Sequence, residues 1–223
     1  GLGGIAGHQA GVERIRDILR TAKNLNIEVV SLFAFSSENW NRPEFEVRGL
    51  MSLFSSYLKK EAKALRDDGV RLKVIGSRSR FSDRLKRLID DAEKMTASGT
   101  CTLVLCVDYG GRWDITQAAQ KIASDVQMGR LRASEITEET VASYIQLNGL
   151  PGPDLCIRTA GEQRISNFLL WQMAYTEFYF ADVYWPDFDA AAFQVAVKVY
   201  NARQRRFGLR AEESSSNKEQ KHV

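Results

Sequence analysis

The chain has 223 residues, of which 44% are hydrophobic and 26% are charged, and 31 basic against 28 acidic side chains leave a formal charge of +3. This composition excludes disordered and collagen-like proteins, and the length suffices for one domain with its own core. Because the two signs are nearly balanced, we expect no nucleic-acid partner.

The lack of a signal-peptide pattern and the surroundings of the cysteines both predict a cytoplasmic protein. The opening GLGGIAGHQAG lacks a signal-peptide pattern, and polar residues interrupt the most apolar stretch, 168–185. Cys101, Cys106 and Cys156 lie in apolar runs without CxxC spacing, and only two histidines are present. We therefore expect reduced cysteines, no zinc site and no membrane-spanning segment.

Hydrophobic spacing predicts helices that alternate with nearly continuous apolar strands. The first half of the chain is predicted to form a helix from His8, a strand at 27–36, a helix at 43–67, a strand at 70–76 and a helix at 82–97. The second half is predicted to form a strand at 100–107, helices at 112–128 and from Thr137, a strand at 154–159, a helix at 167–175, an extended segment at 178–184 and a helix at 190–206.

This order of elements is typical of an α/β protein. It predicts a single domain, residues 1–210, with a mostly parallel central sheet covered by helices on both faces. The polar tail at 211–223 has no apolar anchor and is predicted to be disordered. In open sheets of this kind, ligands bind beyond the carboxyl ends of the strands, so the segments that follow strands are the candidate site.

The segment RTAGEQRISN, which follows the 154–159 strand, is the richest in anion-binding groups. Arg158, Arg164 and Ser166 place two guanidinium groups and a hydroxyl around one turn, which suits a diphosphate. Alternatively, the turn is solvated and its arginines pair with Glu162 and neighbouring acids. The position directly after a strand favours binding.

The segment SSENWNRP, which follows the first strand, combines hydroxyls, amides, a carboxylate, an indole and a guanidinium. Such residues also cap helices, and tryptophan often covers the edge of a core. Trp40 and Arg42 together favour a site for an anion with an apolar tail.

Glu177 lies in a run of aromatic residues, where a carboxylate is costly to bury without a partner. That partner is either a cation such as Mg²⁺ or a nearby arginine, and the sequence leaves both open.

These segments, together with YGGRWDI, AYTEFYF, WPDF and RRFG, resemble the cis-prenyltransferase family in order and spacing from His8 to Gly208. The resemblance implies condensation of isopentenyl diphosphate units onto farnesyl diphosphate to give undecaprenyl diphosphate. It also implies a Mg²⁺ cofactor, a homodimer and a hydrophobic tunnel for the growing product. Because that product is lipid-soluble, peripheral contact with the inner face of the membrane is expected.

The resemblance also assigns roles to individual residues. Asn39 matches the residue that assists proton loss from isopentenyl diphosphate, and Glu177 matches a metal ligand. The positions that match the clamp on isopentenyl diphosphate are Arg158, Arg164, Ile165 and Ser166. Those that match the surroundings of the allylic substrate are His8, Ser36, Ser37, Glu38, Trp40 and Arg42. Arg206 and Gly208 match an R-x-G element that reaches a diphosphate across the dimer interface.

The tunnel is expected along the helix at 43–67 and the strand at 104–107. A helix packed tightly on its sheet would give the same hydrophobic pattern, so the tunnel follows from the resemblance and not from the periodicity.

The sequence departs from the family pattern in one segment and at four positions. The family begins with a strand and a D-G-N-x-R-W loop that binds the metal and the allylic diphosphate, and we do not find this segment here. We expect the strand beside it to be unpaired on one side. Where relatives usually carry Arg, Asn, Gly and His, this sequence has, in chain order, Gly4, Asp108, Ala160 and Gln163.

Two functions from different classes follow from these observations. The first is an active chain-elongating synthase, and the second is a non-catalytic subunit that supports a catalytic partner. The clamp residues are retained, and so are Asn39 and Glu177. This favours the enzyme, because a purely structural subunit does not need them. An in-frame D-G-N-x-R-W segment upstream of Gly1 would favour the enzyme, and its absence the partner subunit.

Overall fold

The computed structural model describes residues 4–203, with side chains from residue 10 onward. Helices and strands alternate along this part of the chain. The helices are α1 Gly4–Asn24, α2 Glu44–Asp67, α3 Asp83–Met95, α4 Gly111–Gln127, α5 Glu138–Tyr144 and α6 Ala190–Asn201. The strands are β1 Val29–Ser36, β2 Val70–Ile75, β3 Cys101–Tyr109, β4 Leu155–Arg158 and β5 Glu177–Phe180. Short 3-10 helices lie at Ser37–Asn41, Ala133–Glu135 and Trp185–Asp187.

All strand pairs are parallel, and the predicted α/β class is confirmed. In the described residues the strands form a three-stranded sheet of order β1-β3-β2 and a two-stranded sheet of β4 and β5, so one side of β1 is unpaired, as expected for a neighbour of the family segment that we do not find. In the described part of the chain, β1 and β4 are therefore edge strands of different sheets. The predicted extended segment at 178–184 contributes only its first residues to β5.

Strand β3 is buried on both faces, which explains its continuous apolar sequence. Its Leu103, Leu105 and Val107 belong to a core that includes side chains of α2 and α3. Its Val104 and Cys106 belong to a second core, which lies on the other face of the sheet. A third core joins α1 and α6 to β4. Together these cores bring helices onto both faces, as predicted.

The ends of two helices follow the rules used to predict them. The Ser82 hydroxyl caps α3 by accepting a hydrogen bond from the Leu85 N–H at 3.2 Å. Pro43 directly precedes α2, whose amphipathic pattern buries Val47, Leu58 and Leu65.

The helix predicted at 167–175 is wrong, because this segment forms a series of turns. Ser166 and Asn167 both have a positive φ, of 53° and 61°, which cannot begin a right-handed helix. The helical spacing of apolar residues instead reflects two buried side chains, Leu169 and Met173, linked by one i, i+4 backbone hydrogen bond of 3.0 Å.

Two of the departures from the family pattern fall at residues with a positive φ. Asp108 has a φ of 50° and Ala160 a φ of 64°. Asparagine and glycine tolerate this left-handed region better than alanine does, since a Cβ there crowds the following carbonyl. Hydrogen bonds from the Ala160 N–H to the Val183 carbonyl and from the Gly161 N–H to the Ala181 carbonyl hold this loop against the segment that follows β5.

We therefore expect Ala160→Gly to raise the free energy of unfolding by about 1 kcal/mol, because it removes left-handed strain from a fixed turn. Urea unfolding followed by circular dichroism measures the change. The matched control is Ala97→Gly, in a turn without a positive φ, which should lower stability. Equal or lower stability of Ala160→Gly would contradict the prediction.

Candidate active site

A cavity of about 1580 Å³ opens between β1 and β4 and extends along α2. Its apolar wall includes side chains from the first strand, the long helix and the central strand, among them Phe33, Phe35, Leu50, Phe54, Leu105 and Val107. Its polar lining includes Asn39, Arg42, Arg158, Glu162 and Arg164. The cavity thus joins an apolar surface to a group of arginines.

The wall of the cavity agrees in part with the predicted tunnel. Side chains of α2 line the cavity, as do Leu105 and Val107 of β3. Val104 and Cys106 of the same predicted stretch face the opposite core, because alternate residues of a strand point to opposite sides of the sheet.

The segment after β4 brings the predicted clamp residues together. Arg158, Arg164 and Ile165 line the cavity, and the Arg158 guanidinium donates to the Ser166 hydroxyl at 3.3 Å. Arg164 also forms an ion pair with Glu162, which is the contact that the alternative interpretation predicted. This pair is exposed and weak, so the guanidinium can exchange it for a diphosphate.

The segment after β1 is ordered by its own side chains. The Ser36 N–H donates to the Asn39 side-chain oxygen at 2.9 Å, which fixes the amide at the rim of the cavity. Arg42 lines the cavity as well and forms a 2.6 Å ion pair with Glu46 in the first turn of α2. Ser37 lies near Gly110, where an added Cβ would come within 3.2 Å of the serine hydroxyl.

Trp40 faces away from the cavity wall and packs against the first core. Its ring meets Phe35 edge to face at 5.1 Å, and the Arg80 guanidinium lies 5.2 Å from its centroid. The indole N–H is buried and has no hydrogen-bond partner among the described residues. Arg80 was not identified from the sequence, although it lies in a basic, serine-rich loop after β2.

Glu177 does not meet the clamp in this chain. It begins β5 opposite Leu155, whereas Arg158 ends β4, so the two residues lie at opposite ends of the same short sheet. The Glu177 carboxylate accepts from the Arg203 guanidinium at 2.9 Å, which is the salt bridge that the sequence left open.

The described residues, 4–203, contain no group of three potential metal ligands among His, Cys, Asp and Glu side chains. Glu177 is the one carboxylate among the described residues that the resemblance assigned to a metal. The predicted contributions of His8, Arg206 and Gly208 fall on side chains or residues outside the described part of the structure.

Asp114, at the start of α4, organises a buried polar network behind the site and is only 1% exposed. Its carboxylate accepts from the Tyr109 hydroxyl at 2.8 Å, the Gln146 backbone N–H at 2.9 Å and the Gln172 amide at 3.1 Å. Burial and the adjacent Asp114 raise the pKa of Tyr109, which therefore stays protonated. The sequence contained Asp114 in the DYGGRWD segment but gave no sign of its partners.

The three cysteines are free thiols, as predicted. Cys101 and Cys106 are buried, whereas Cys156 is half-buried and lines the cavity. Burial raises the pKa of Cys156, and the nearby Arg158 opposes this shift. Among the helices of residues 4–203, none combines the length and the hydropathy that a membrane span requires.

Comparisons with a family model and with individual proteins indicate the same family. The sequence matches the Prenyltransf family, described as undecaprenyl diphosphate synthase, over residues 1–208. It is 49% identical over 213 residues to a ditrans,polycis-undecaprenyl-diphosphate synthase of Pseudomonas putida, which covers 95% of this chain and 85% of that protein. It is 48% identical over 210 residues to an isoprenyl transferase of Neisseria meningitidis, with 94% and 82% covered.

Solved structures show the same similarity. Lavandulyl diphosphate synthase from Lavandula x intermedia, solved with dimethylallyl diphosphate, superposes with a TM-score of 0.88 at 39% identity and covers 92% of this chain and 89% of that one. A probable undecaprenyl diphosphate synthase from Campylobacter jejuni gives a TM-score of 0.79 at 32% identity, with 90% and 92% covered. The family match over most of the chain and the arginine-lined cavity lead to one conclusion: this chain belongs to the undecaprenyl diphosphate synthase family of prenyltransferases.

Proposed function

We propose that this protein elongates farnesyl diphosphate with successive isopentenyl diphosphate units to make undecaprenyl diphosphate. The observation that carries the proposal is one cavity with an apolar wall and three arginines, Arg42, Arg158 and Arg164, in its lining. A prenyl diphosphate has the same two parts, a hydrocarbon chain and a dianionic or trianionic head. The relatives named for this reaction support the assignment.

Each residue group has a defined task in this reaction. The guanidiniums of Arg158 and Arg164 and the hydroxyl of Ser166 bind the diphosphate of isopentenyl diphosphate, while Arg42 faces the allylic diphosphate. The allylic carbon–oxygen bond breaks and diphosphate leaves with its electron pair. The isopentenyl double bond then forms the new carbon–carbon bond, and one proton passes from the isopentenyl unit to an oxygen of the released diphosphate or to water, which completes the cis double bond.

We assign Asn39 to assist this proton loss, because its amide is fixed by the Ser36 N–H at the rim of the cavity. Side chains of α2 exclude water from the growing hydrocarbon, and arginines stabilise the negative charge that develops on the leaving group. Ser36, Ser37, Glu38 and Trp40 complete the surroundings of the allylic substrate, where Trp40 acts through its packing on Phe35.

The family is generally metal-dependent, and we propose Mg²⁺ as the metal. Magnesium commonly binds one or two protein carboxylates together with substrate phosphate oxygens and water. In this proposal, diphosphate oxygens supply most ligands and Glu177 is the candidate carboxylate. When bound, the metal would neutralise negative charge on the diphosphate groups.

We further propose a cytoplasmic homodimer in which the R-x-G element, Arg206 and Gly208, reaches a diphosphate across the interface. The product is strongly apolar, so we expect peripheral contact with the inner face of the membrane during its release. Vesicle co-sedimentation with and without the elongated product tests this contact.

An extension assay with labelled isopentenyl diphosphate and farnesyl diphosphate tests the function directly. It is run with and without Mg²⁺, on this chain and on the chain with a D-G-N-x-R-W segment joined before Gly1. The proposal predicts Mg²⁺-dependent products longer than farnesyl diphosphate. If neither protein extends the substrate, the non-catalytic partner function is favoured instead.

The position of Cys156 provides an independent test of the cavity. We expect iodoacetamide to modify Cys156 more readily than the two buried cysteines, and farnesyl diphosphate to protect it. At ten times its dissociation constant, the ligand should slow modification about ten-fold by mass action. Because the pKa of Cys156 is raised, the rate without ligand should increase towards alkaline pH.

Peptide mass spectrometry measures the modification at each cysteine. Inorganic diphosphate, which lacks the hydrocarbon chain, is the matched control and should protect Cys156 less. Equal protection by the two ligands would show that the prenyl chain does not occupy this cavity.

A further inference from the structure

Asn167 lies in the loop after β4 and forms hydrogen bonds to the loops after β1 and β3. All three loops begin at the carboxyl end of a strand. Its side-chain nitrogen donates to the Glu38 carboxylate at 2.7 Å, in the 3-10 helix after β1. Its side-chain oxygen accepts from the Arg112 N–H at 2.9 Å, and its carbonyl accepts from the Gly111 N–H at 2.7 Å. The amide nitrogen and the amide oxygen of Asn167 are thus both hydrogen-bonded to other loops.

The backbone and the neighbouring glycine are both adapted to this arrangement. Asn167 has a φ of 61°, a conformation that asparagine accepts more readily than most residues. A Cβ at Gly110 would lie 2.7 Å from the Asn167 side-chain nitrogen, so only glycine leaves room for the amide. The close approach of the two loops therefore depends on both residues.

These contacts matter because the two halves of the site lie on different sheets. Asn39 and Glu38 follow β1 of the three-stranded sheet, whereas Arg158 ends β4 of the two-stranded sheet. The hydrogen bonds of Asn167 join the segment after β4 to the segments after β1 and β3, directly beside Ser166.

We infer that Asn167 is a positioning residue, which holds the diphosphate clamp at a fixed distance from the Glu38–Asn39 segment. The inference rests on the proposed function, since the clamp is the one assigned to isopentenyl diphosphate. Asn167 acts through Ser166 and Glu38 and does not itself need to touch the substrate. Its loss frees the clamp loop and weakens binding without removing any guanidinium.

The first test uses Asn167→Gly and Asn167→Asp. Glycine accepts the positive φ and keeps the carbonyl bond to Gly111, so it removes the side-chain bonds alone. Aspartate keeps an oxygen that accepts from the Arg112 N–H. Its other oxygen replaces the donor to Glu38, so two negatively charged carboxylates face each other. We expect each variant to bind isopentenyl diphosphate about ten-fold more weakly, measured by calorimetry, which corresponds to one or two lost hydrogen bonds.

The second test is a rescue that a merely structural role would not produce. In the double variant Glu38→Gln with Asn167→Asp, the donor and acceptor are exchanged, so the amide of residue 38 donates to the carboxylate of residue 167. We expect its affinity to exceed that of Asn167→Asp alone about five-fold, as the like-charge contact becomes a charge-assisted hydrogen bond. No recovery in the double variant would overturn the inference.

The matched control is Asn148→Gly, an exposed asparagine in the turns after α5, whose side chain donates to the Ser143 carbonyl at 2.6 Å and does not line the cavity. It should leave the affinity unchanged. If the unaltered chain binds isopentenyl diphosphate and the Asn167 variants bind it equally well, the positioning role is wrong. If the unaltered chain does not bind isopentenyl diphosphate, the proposed function fails first, and the two failures are distinguished.

Discussion

Arg158→Ala is expected to weaken the binding of isopentenyl diphosphate by about 10-fold to 100-fold, measured by calorimetry. The guanidinium lines the cavity, and the side-chain hydrogen bond described for it is the 3.3 Å bond to Ser166. Most of its donors are therefore available to a ligand. Hydrogen bonds to a charged group contribute about 1.5–3 kcal/mol, which gives the expected range.

The same contact pattern predicts that Arg158→Ala folds normally, because little of the protein depends on this side chain. Arg158→Lys should fall between the alanine variant and the unaltered chain, since it keeps the charge but loses the planar pair of donors. Arg66→Ala is the matched control, as Arg66 pairs with Asp67 at the exposed end of α2. Unchanged affinity of Arg158→Ala would remove this residue from the clamp.

Asp114→Ala is expected to lower the free energy of unfolding by about 3–5 kcal/mol, measured by urea denaturation. The substitution would leave three donors from Tyr109, Gln146 and Gln172 without their acceptor in a buried site. A loss of this size is a large part of the total stability of an ordinary domain. The variant should therefore unfold at a much lower urea concentration.

Asp114→Asn retains one acceptor oxygen and should show a smaller loss, because its amide nitrogen then faces other donors. Asp91→Ala, at an exposed position of α3, is the control and should change stability by no more than about 0.5 kcal/mol. If Asp114→Ala were as stable as the control, the network would not hold the loops behind the site.

The secondary structure was largely predictable because it depends on local features. The apolar sequence of β3, the Ser82 cap and the periodic face of α2 each describe a segment by residues within that segment. The error at 167–175 has the same origin, since the spacing of Leu169 and Met173 is helical while two residues with a positive φ prevent a helix. Local periodicity reports burial, and burial does not require a helix.

The candidate site was predictable to a similar degree. Parallel strands bring their carboxyl ends to the same edge, so the segments containing Asn39 and Arg158 could be placed near each other from their order alone. The partners of individual side chains were not predictable. Glu177 pairs with Arg203, Trp40 packs beneath Arg80, and Asp114 accepts from two distant segments through Gln146 and Gln172.

The sequence by itself determined the α/β class and the family and indicated the residues proposed for the site, because these follow from short motifs and hydrophobic periodicity. Tertiary structure alone decided which side chains line the cavity between β1 and β4, that Glu177 pairs with Arg203, and that Asn167 joins the loops after β1, β3 and β4. The physical reason is that such contacts join residues far apart in the sequence, 129 positions for Asn167 and Glu38 and 55 for Asn167 and Arg112. Their distances depend on how whole elements pack, which no local pattern records.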